Sequence, residues 1–132
     1  MIGLVVDEFS FAVEAGKVRE FARAIQAPSD PVHGVPLTFS VVAGHERDAR
    51  AVVDRLGLDI MRVVVGEVEW SYARPLVVGD QLAGRRVVAD MRTREGSRGG
   101  SMTLVTLETQ FRDAAGEVVL RQREVLIETD AP

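Results

Sequence analysis

Asp30 and His33 place a carboxylate and an imidazole three residues apart in the run Ser29-Asp30-Pro31-Val32-His33-Gly34. Such a pair can hold a water molecule and exchange protons near neutral pH, because imidazole titrates at about 6.5. The plain alternative is a turn aspartate ahead of a proline and a histidine that faces solvent. His45 is the second of the chain's 2 histidines. A zinc site would have to join both to carboxylates without HExxH spacing, so no metal is expected. With 0 cysteines there are no disulfides, thiol nucleophiles or thiolate metal ligands. GxGxxG, GxxxxGK[ST] and GxSxG are all absent, which removes the usual phosphate cradles and the serine elbow.

The rest of the chain must position that loop. Its 132 residues suit a single domain spanning 1–132. With 46% apolar and 27% charged residues, it carries enough side chain to bury a core. Sixteen Lys and Arg against 20 Asp and Glu leave a net charge of −4, which gives no support to a nucleic-acid surface. No stretch approaches the roughly 18 apolar residues of a membrane span, and Met1-Ile2-Gly3-Leu4 does not begin like a signal peptide. A cytoplasmic location, without membrane or nucleic-acid partners, is the expectation.

Helical spacing of Val18, Phe21, Ala22 and Ile25 predicts a helix from Glu14 to Gln26, stopped by Pro28 and Pro31. Pro36 suits the first turn of a second helix, predicted to run to Leu56 with Gly57 as its stop and a weak point near Gly44-His45. Its first half, Leu37, Phe39, Val41, Val42 and Ala43, is apolar nearly all round, as a helix engulfed by the core would be. From Met61 the period changes to two. Val68, Trp70 and Tyr72 alternate with Glu67, Glu69 and Ser71, so the aromatic pair reads as core or dimer packing and the glutamates as a solvated face. Further strands are predicted over Gln81–Met91, Ser101–Phe111 and Glu117–Glu128, with one more near Phe9–Val13. The fold class is α+β, an antiparallel sheet wrapped around a central helix, which is the hot-dog arrangement.

Three passages carry a family resemblance. Gly16-Lys17-Val18-Arg19-Glu20-Phe21-Ala22-Arg23-Ala24-Ile25, Val35-Pro36-Leu37-Thr38-Phe39 and Glu69-Trp70-Ser71-Tyr72-Ala73-Arg74-Pro75-Leu76-Val77-Val78-Gly79-Asp80 resemble, in order and spacing, the MaoC-like (R)-specific hydratase and dehydratase family. The likeness is to its N-terminal-type and mycobacterial dehydratase-subunit branch and covers about Phe11 to Glu128. It implies addition or removal of water on 3-hydroxyacyl groups carried as coenzyme A or acyl-carrier-protein thioesters, with no other cofactor. It also implies a homodimer or a heterodimer with a related hot-dog subunit. On that resemblance His33 is the general base and Asp30 its carboxylate partner. Gly34, Val35, Leu37, Thr38 and Phe39 form the substrate-binding start of the helix, whose backbone N–H groups polarise the thioester carbonyl.

Active relatives carry a D-x-N-P-x-H run. Aligned on its N-P-x-H end, Pro28 stands where the carboxylate belongs, and Asp30 offers one from a shifted position. That departure keeps a second reading open, a catalytically silent subunit that binds the acyl chain and pairs with an active hot-dog partner. Thioester hydrolysis on the same fold is a third. Arg85, Arg86, Arg92, Arg94 and Arg98 gather around one predicted hairpin, either as a solvated surface or as a contact for the coenzyme's phosphates or an acidic carrier protein.

Overall fold

The alternating segments form five strands in the computed structural model, which describes residues 1–28, 34–95 and 99–130. They are β1 (Val5–Ala12), β2 (Val63–Tyr72), β3 (Gln81–Glu95), β4 (Ser101–Arg112) and β5 (Val118–Glu128). The sheet order is β1-β3-β4-β5-β2, antiparallel throughout, so β1 and β2 are its edges. On β4 the period-two reading holds: Val105, Leu107, Thr109 and Phe111 are buried on one face.

The first helix, α1 (Ala15–Ala24), buries Val18 and Ala22, one helical turn apart. It ends before the prolines act. Gln26 adopts φ 58, and the N–H groups of Gln26 and Ala27 donate to the carbonyls of Arg23 and Ala22 at 3.2 and 2.8 Å. This is a Schellman stop, with glutamine at a position that usually takes glycine.

The predicted helix from Pro36 to Leu56 is not continuous. A 3-10 helix covers Phe39–Glu46, and α2 covers Ala49–Arg55. Between them Arg47 is extended, at φ −125 and ψ 148. Asp48 then caps α2, its side chain accepting the Ala51 N–H at 3.1 Å. The break thus falls at a capping aspartate, not at Gly44. Three residues per turn bury Phe39, Ser40 and Ala43 but leave Val41 exposed, so this segment is not engulfed on all sides.

The inner face of the sheet carries two hydrophobic clusters. One gathers Phe11, Val13, Val18, Phe39, Leu76, Leu82, Phe111 and Leu120, with Phe9, Phe21, Trp70 and Tyr72 packed against it. All 7 aromatic residues of the chain are therefore at this end. Phe9 lies edge-on to Phe111 at 5.6 Å, and Phe21 edge-on to Phe39 at 5.6 Å, the arrangement the ring quadrupole favours. Gly84 permits this, because a Cβ there would overlap the Phe9 ring. The other cluster is wholly aliphatic, built on Val6, Val52, Val53, Leu56, Leu58, Val88, Val105, Leu107 and Leu126 beneath α2.

A buried polar belt runs between the clusters along the strand register Asp7–Arg86–Thr109–Gln122–Trp70. Arg86 donates to both Asp7 oxygens at 3.0 and 2.8 Å and to Glu124 Oε1 at 2.7 Å. Burial works against its charge, but the two carboxylates overcome that and raise its pKa. Arg86 is thus no member of the exposed arginine cluster that the sequence suggested. Arg85, Arg92 and Arg94 are exposed on the other face of β3, and Arg98 lies outside the described residues.

Candidate functional site

The residues that lead into the 3-10 helix sit at the aromatic end. Asp30 and His33 fall in 29–33, outside the described residues. Gly34 follows with φ 66, a left-handed conformation that a side chain would strain, and it is exposed. Val35 packs against the aromatic cluster. Pro36 accepts the Phe39 N–H at 3.0 Å, which closes a turn over 36–39, and Thr38 accepts the Val41 N–H at 3.1 Å. Leu37 is 68% exposed and Thr38 is exposed, whereas Phe39 is fully buried as the core anchor of the turn. Leu37 and Thr38 therefore present backbone and side chain to the surface, and Phe39 fixes them from below. Neither the Leu37 N–H nor the Thr38 N–H has an acceptor among the described residues.

Between them α1 and the 3-10 helix form a groove of about 480 Å³, lined by Lys17, Glu20, Phe21, Val41, Val42 and His45 but not by Gly34, Val35, Leu37, Thr38 or Phe39. Its apolar floor and charged mouth suit an aliphatic chain with a polar end. His45 is exposed at that mouth, in keeping with a surface position.

Tyr72 closes the site from the sheet side. It is the last residue of β2, and its hydroxyl donates to the Leu37 carbonyl. Burial pushes the phenol's pKa up, and the neighbouring Ser40 hydroxyl pulls it partly back. Trp70, two residues earlier on the same face, donates to Gln122 Oε1 at 3.2 Å. The sequence marked both aromatics as packing residues, and their polar ends carried no readable signal. After β2, Arg74 grips Asp80 in a two-pronged pair at 2.9 and 3.1 Å, and Asp80 also accepts the Val77 N–H at 2.9 Å. Burial opposes the Asp80 charge, but Arg74 and the Val77 N–H outweigh it and hold the carboxyl below its usual 3.8. This ion pair is the physical content of the Arg74-Pro75 … Gly79-Asp80 motif.

The inner face of β2 is poorly covered. Val65 is 59% and Val68 36% exposed although both point to the helix side, and Val64 on the outer side is 53% exposed. Glu67 and Glu69 are solvated on the outer face, where Glu67 meets Arg123 at 3.7 Å. Among the described residues no group of three or more His, Asp or Glu could hold a metal ion. No described helix is long and apolar enough to cross a membrane.

The family model described as "FAS1-like, dehydratase domain region" matches residues 1–122. The chain belongs to the FAS1-like dehydratase domain family. A relative from Thermobifida fusca, known as a UPF0336 protein, is 33% identical over 137 residues, covering 92% of this chain and 87% of its own. Among solved structures, a MaoC-like dehydratase superposes with TM-score 0.78 at 23% identity, covering 98% of this chain and 42% of that one. A HadBC (3R-hydroxyacyl-ACP dehydratase) complex from Mycobacterium tuberculosis gives 0.70 at 19% identity, covering 92% and 94%. For this family member the five-stranded sheet and its helical layer are thus the hot-dog fold anticipated from the sequence.

Proposed function

We propose that this chain is a hot-dog subunit acting on acyl thioesters, adding water to an enoyl group or removing it from a 3-hydroxyacyl group. The observation that carries this reading is the turn over 36–39. It offers the Leu37 and Thr38 N–H groups at the surface, a few residues ahead of the Val41 and Val42 that line the groove and shortly after His33 in the sequence. Donors of this kind stabilise negative charge as it develops on a thioester oxygen. His33 is the general base and Asp30 its carboxylate partner. Asp30 sets the ring's tautomer and shares the proton, while Val35, Val41 and Val42 receive the acyl chain. The substrate arrives on coenzyme A or on an acyl carrier protein. β2 pairs with a second hot-dog subunit, because its ten-residue edge bares Val65 and Val68 where the helical layer stops.

A second reading has its own support. Pro28 occupies the position of the family's catalytic carboxylate, which suits a silent subunit that holds the acyl chain for an active partner. One experiment separates the two: hydration of crotonyl and longer enoyl thioesters by the pure protein, alone and mixed with a candidate hot-dog partner, with mass measured by light scattering. In the active reading His33→Ala lowers turnover roughly 100-fold or more and leaves the melting temperature nearly unchanged. Turnover that survives His33→Ala within a few-fold removes the catalytic assignment. Activity only in the mixture, insensitive to His33→Ala, establishes the silent role. Release of free thiol without hydration points to thioester hydrolysis. A monomer under all conditions defeats the β2 pairing.

A further inference from the structure

The Tyr72 hydroxyl reaches 35 residues back along the chain, from the end of an edge strand to the carbonyl of Leu37. That carbonyl belongs to the same peptide unit as the Thr38 N–H. A trans peptide is planar, so its C=O and N–H point in opposite directions, and there is no cis bond among the described residues. Fixing the Leu37 oxygen inward on Tyr72 therefore turns the Thr38 N–H outward, to the exposed side of the turn. Three neighbours hold the plane: Phe39 is fully buried below it, the Pro36 carbonyl takes the Phe39 N–H at 3.0 Å, and the Thr38 carbonyl takes the Val41 N–H at 3.1 Å. The Thr38 N–H is left without an acceptor among the described residues.

We infer that Tyr72 is a positioning residue that aims the Thr38 N–H at the thioester oxygen. The inference rests on the reading that this turn receives the thioester carbonyl. Tyr72 touches no reacting atom. It acts through one peptide plane, and it links the orientation of that plane to β2, the strand that meets the partner subunit.

Tyr72→Phe tests this, because it keeps the ring in the aromatic cluster and removes only the oxygen. Two readouts are needed in the assembled protein: the residual dipolar coupling of the Thr38 N–H, which reads the direction of that bond, and steady-state hydration of crotonyl-coenzyme A. Loss of the Tyr72 oxygen should change the Thr38 coupling while the couplings of β4 amides stay unchanged. The misaimed donor should lower kcat roughly 10- to 100-fold with KM held within about 3-fold, since the interaction develops in the transition state. An unchanged Thr38 coupling overturns the proposal, and so does a changed coupling with full kcat. A rise in KM alone overturns it too, as that marks a binding contact. A wild type without turnover in any assembly refutes the dehydratase reading instead, and the coupling then decides the positioning by itself.

Discussion

The two ends of the inner sheet face are built from the same strands but with different materials. The end beneath α2 is aliphatic and closed: Val88, Val105, Leu107 and Leu56 are each at most 1% exposed, and no aromatic ring is present. The end beside the 3-10 helix holds every aromatic ring of the chain, and it opens onto the groove and the exposed turn. Branched aliphatic side chains interdigitate without gaps and ask for no polar partner. Rigid rings leave edges, and tyrosine and tryptophan bring polar ends that must find acceptors. The aliphatic end therefore supplies stability, and the aromatic end supplies surface shape and polar groups, which the proposed function uses for an acyl thioester.

The buried belt keeps the ends apart, so breaking it has the largest expected effect. Arg86→Met leaves Asp7 and Glu124 buried without their cation, at a cost of about 3–5 kcal/mol in urea unfolding. Combining it with Asp7→Leu, Glu124→Leu and Arg47→Met should recover most of that loss, because Arg47 is the other buried cation that these carboxylates support and a neutral belt needs no ion pair. Failure to recover would mean that the charges specify the fold and do more than neutralise each other.

Truncation within each end sharpens the contrast. Leu56→Ala should cost about 2–5 kcal/mol and Phe39→Ala about 3–5 kcal/mol, the range for cavities in a packed core. The two should separate in ligand binding. Calorimetric affinity for an enoyl thioester, per folded molecule, should be unchanged in Leu56→Ala and weakened in Phe39→Ala, whose ring supports the turn. Equal weakening would erase the division of labour.

The smallest effect lies at the Arg74–Asp80 pair. Asp80 has a depressed pKa in the folded protein, so its contribution is present above the unfolded value of about 3.8 and fades as pH falls through the lower folded value. Asp80→Asn should cost about 1 kcal/mol at neutral pH, a modest figure because Arg74 is 39% exposed. The cost should shrink toward zero below pH 3.8. A pH-independent cost would place the effect in packing around Leu76 and not in the charge.

The strands of the second half and their inward faces were legible in the chain because each depends on neighbours in sequence, whereas β1 begins at Val5, ahead of the expected Phe9, and β3 runs past Met91 to Glu95. Period two on β4, for instance, reads directly as one buried face. The second helix was less legible. Apolar content from Leu37 to Ala43 does not distinguish 3-10 from α winding, and Asp48 shows its capping role only once Arg47 is extended. Arg86 reads on a strand as one more surface cation, since its partners Asp7 and Glu124 lie 79 and 38 residues away. For the candidate site, the family-like motif marks the turn, while the alternation on β2 assigns Tyr72 only to core or dimer packing.

By itself the sequence determined an antiparallel α+β domain of hot-dog type. This follows from side-chain periodicity and from local motifs, which survive without knowledge of distant contacts. The tertiary structure alone decided that the aromatic rings collect at one end, that a charged belt divides the core, and that a tyrosine from an edge strand sets one peptide plane in the turn. These depend on strand register, and register joins residues that no local pattern connects.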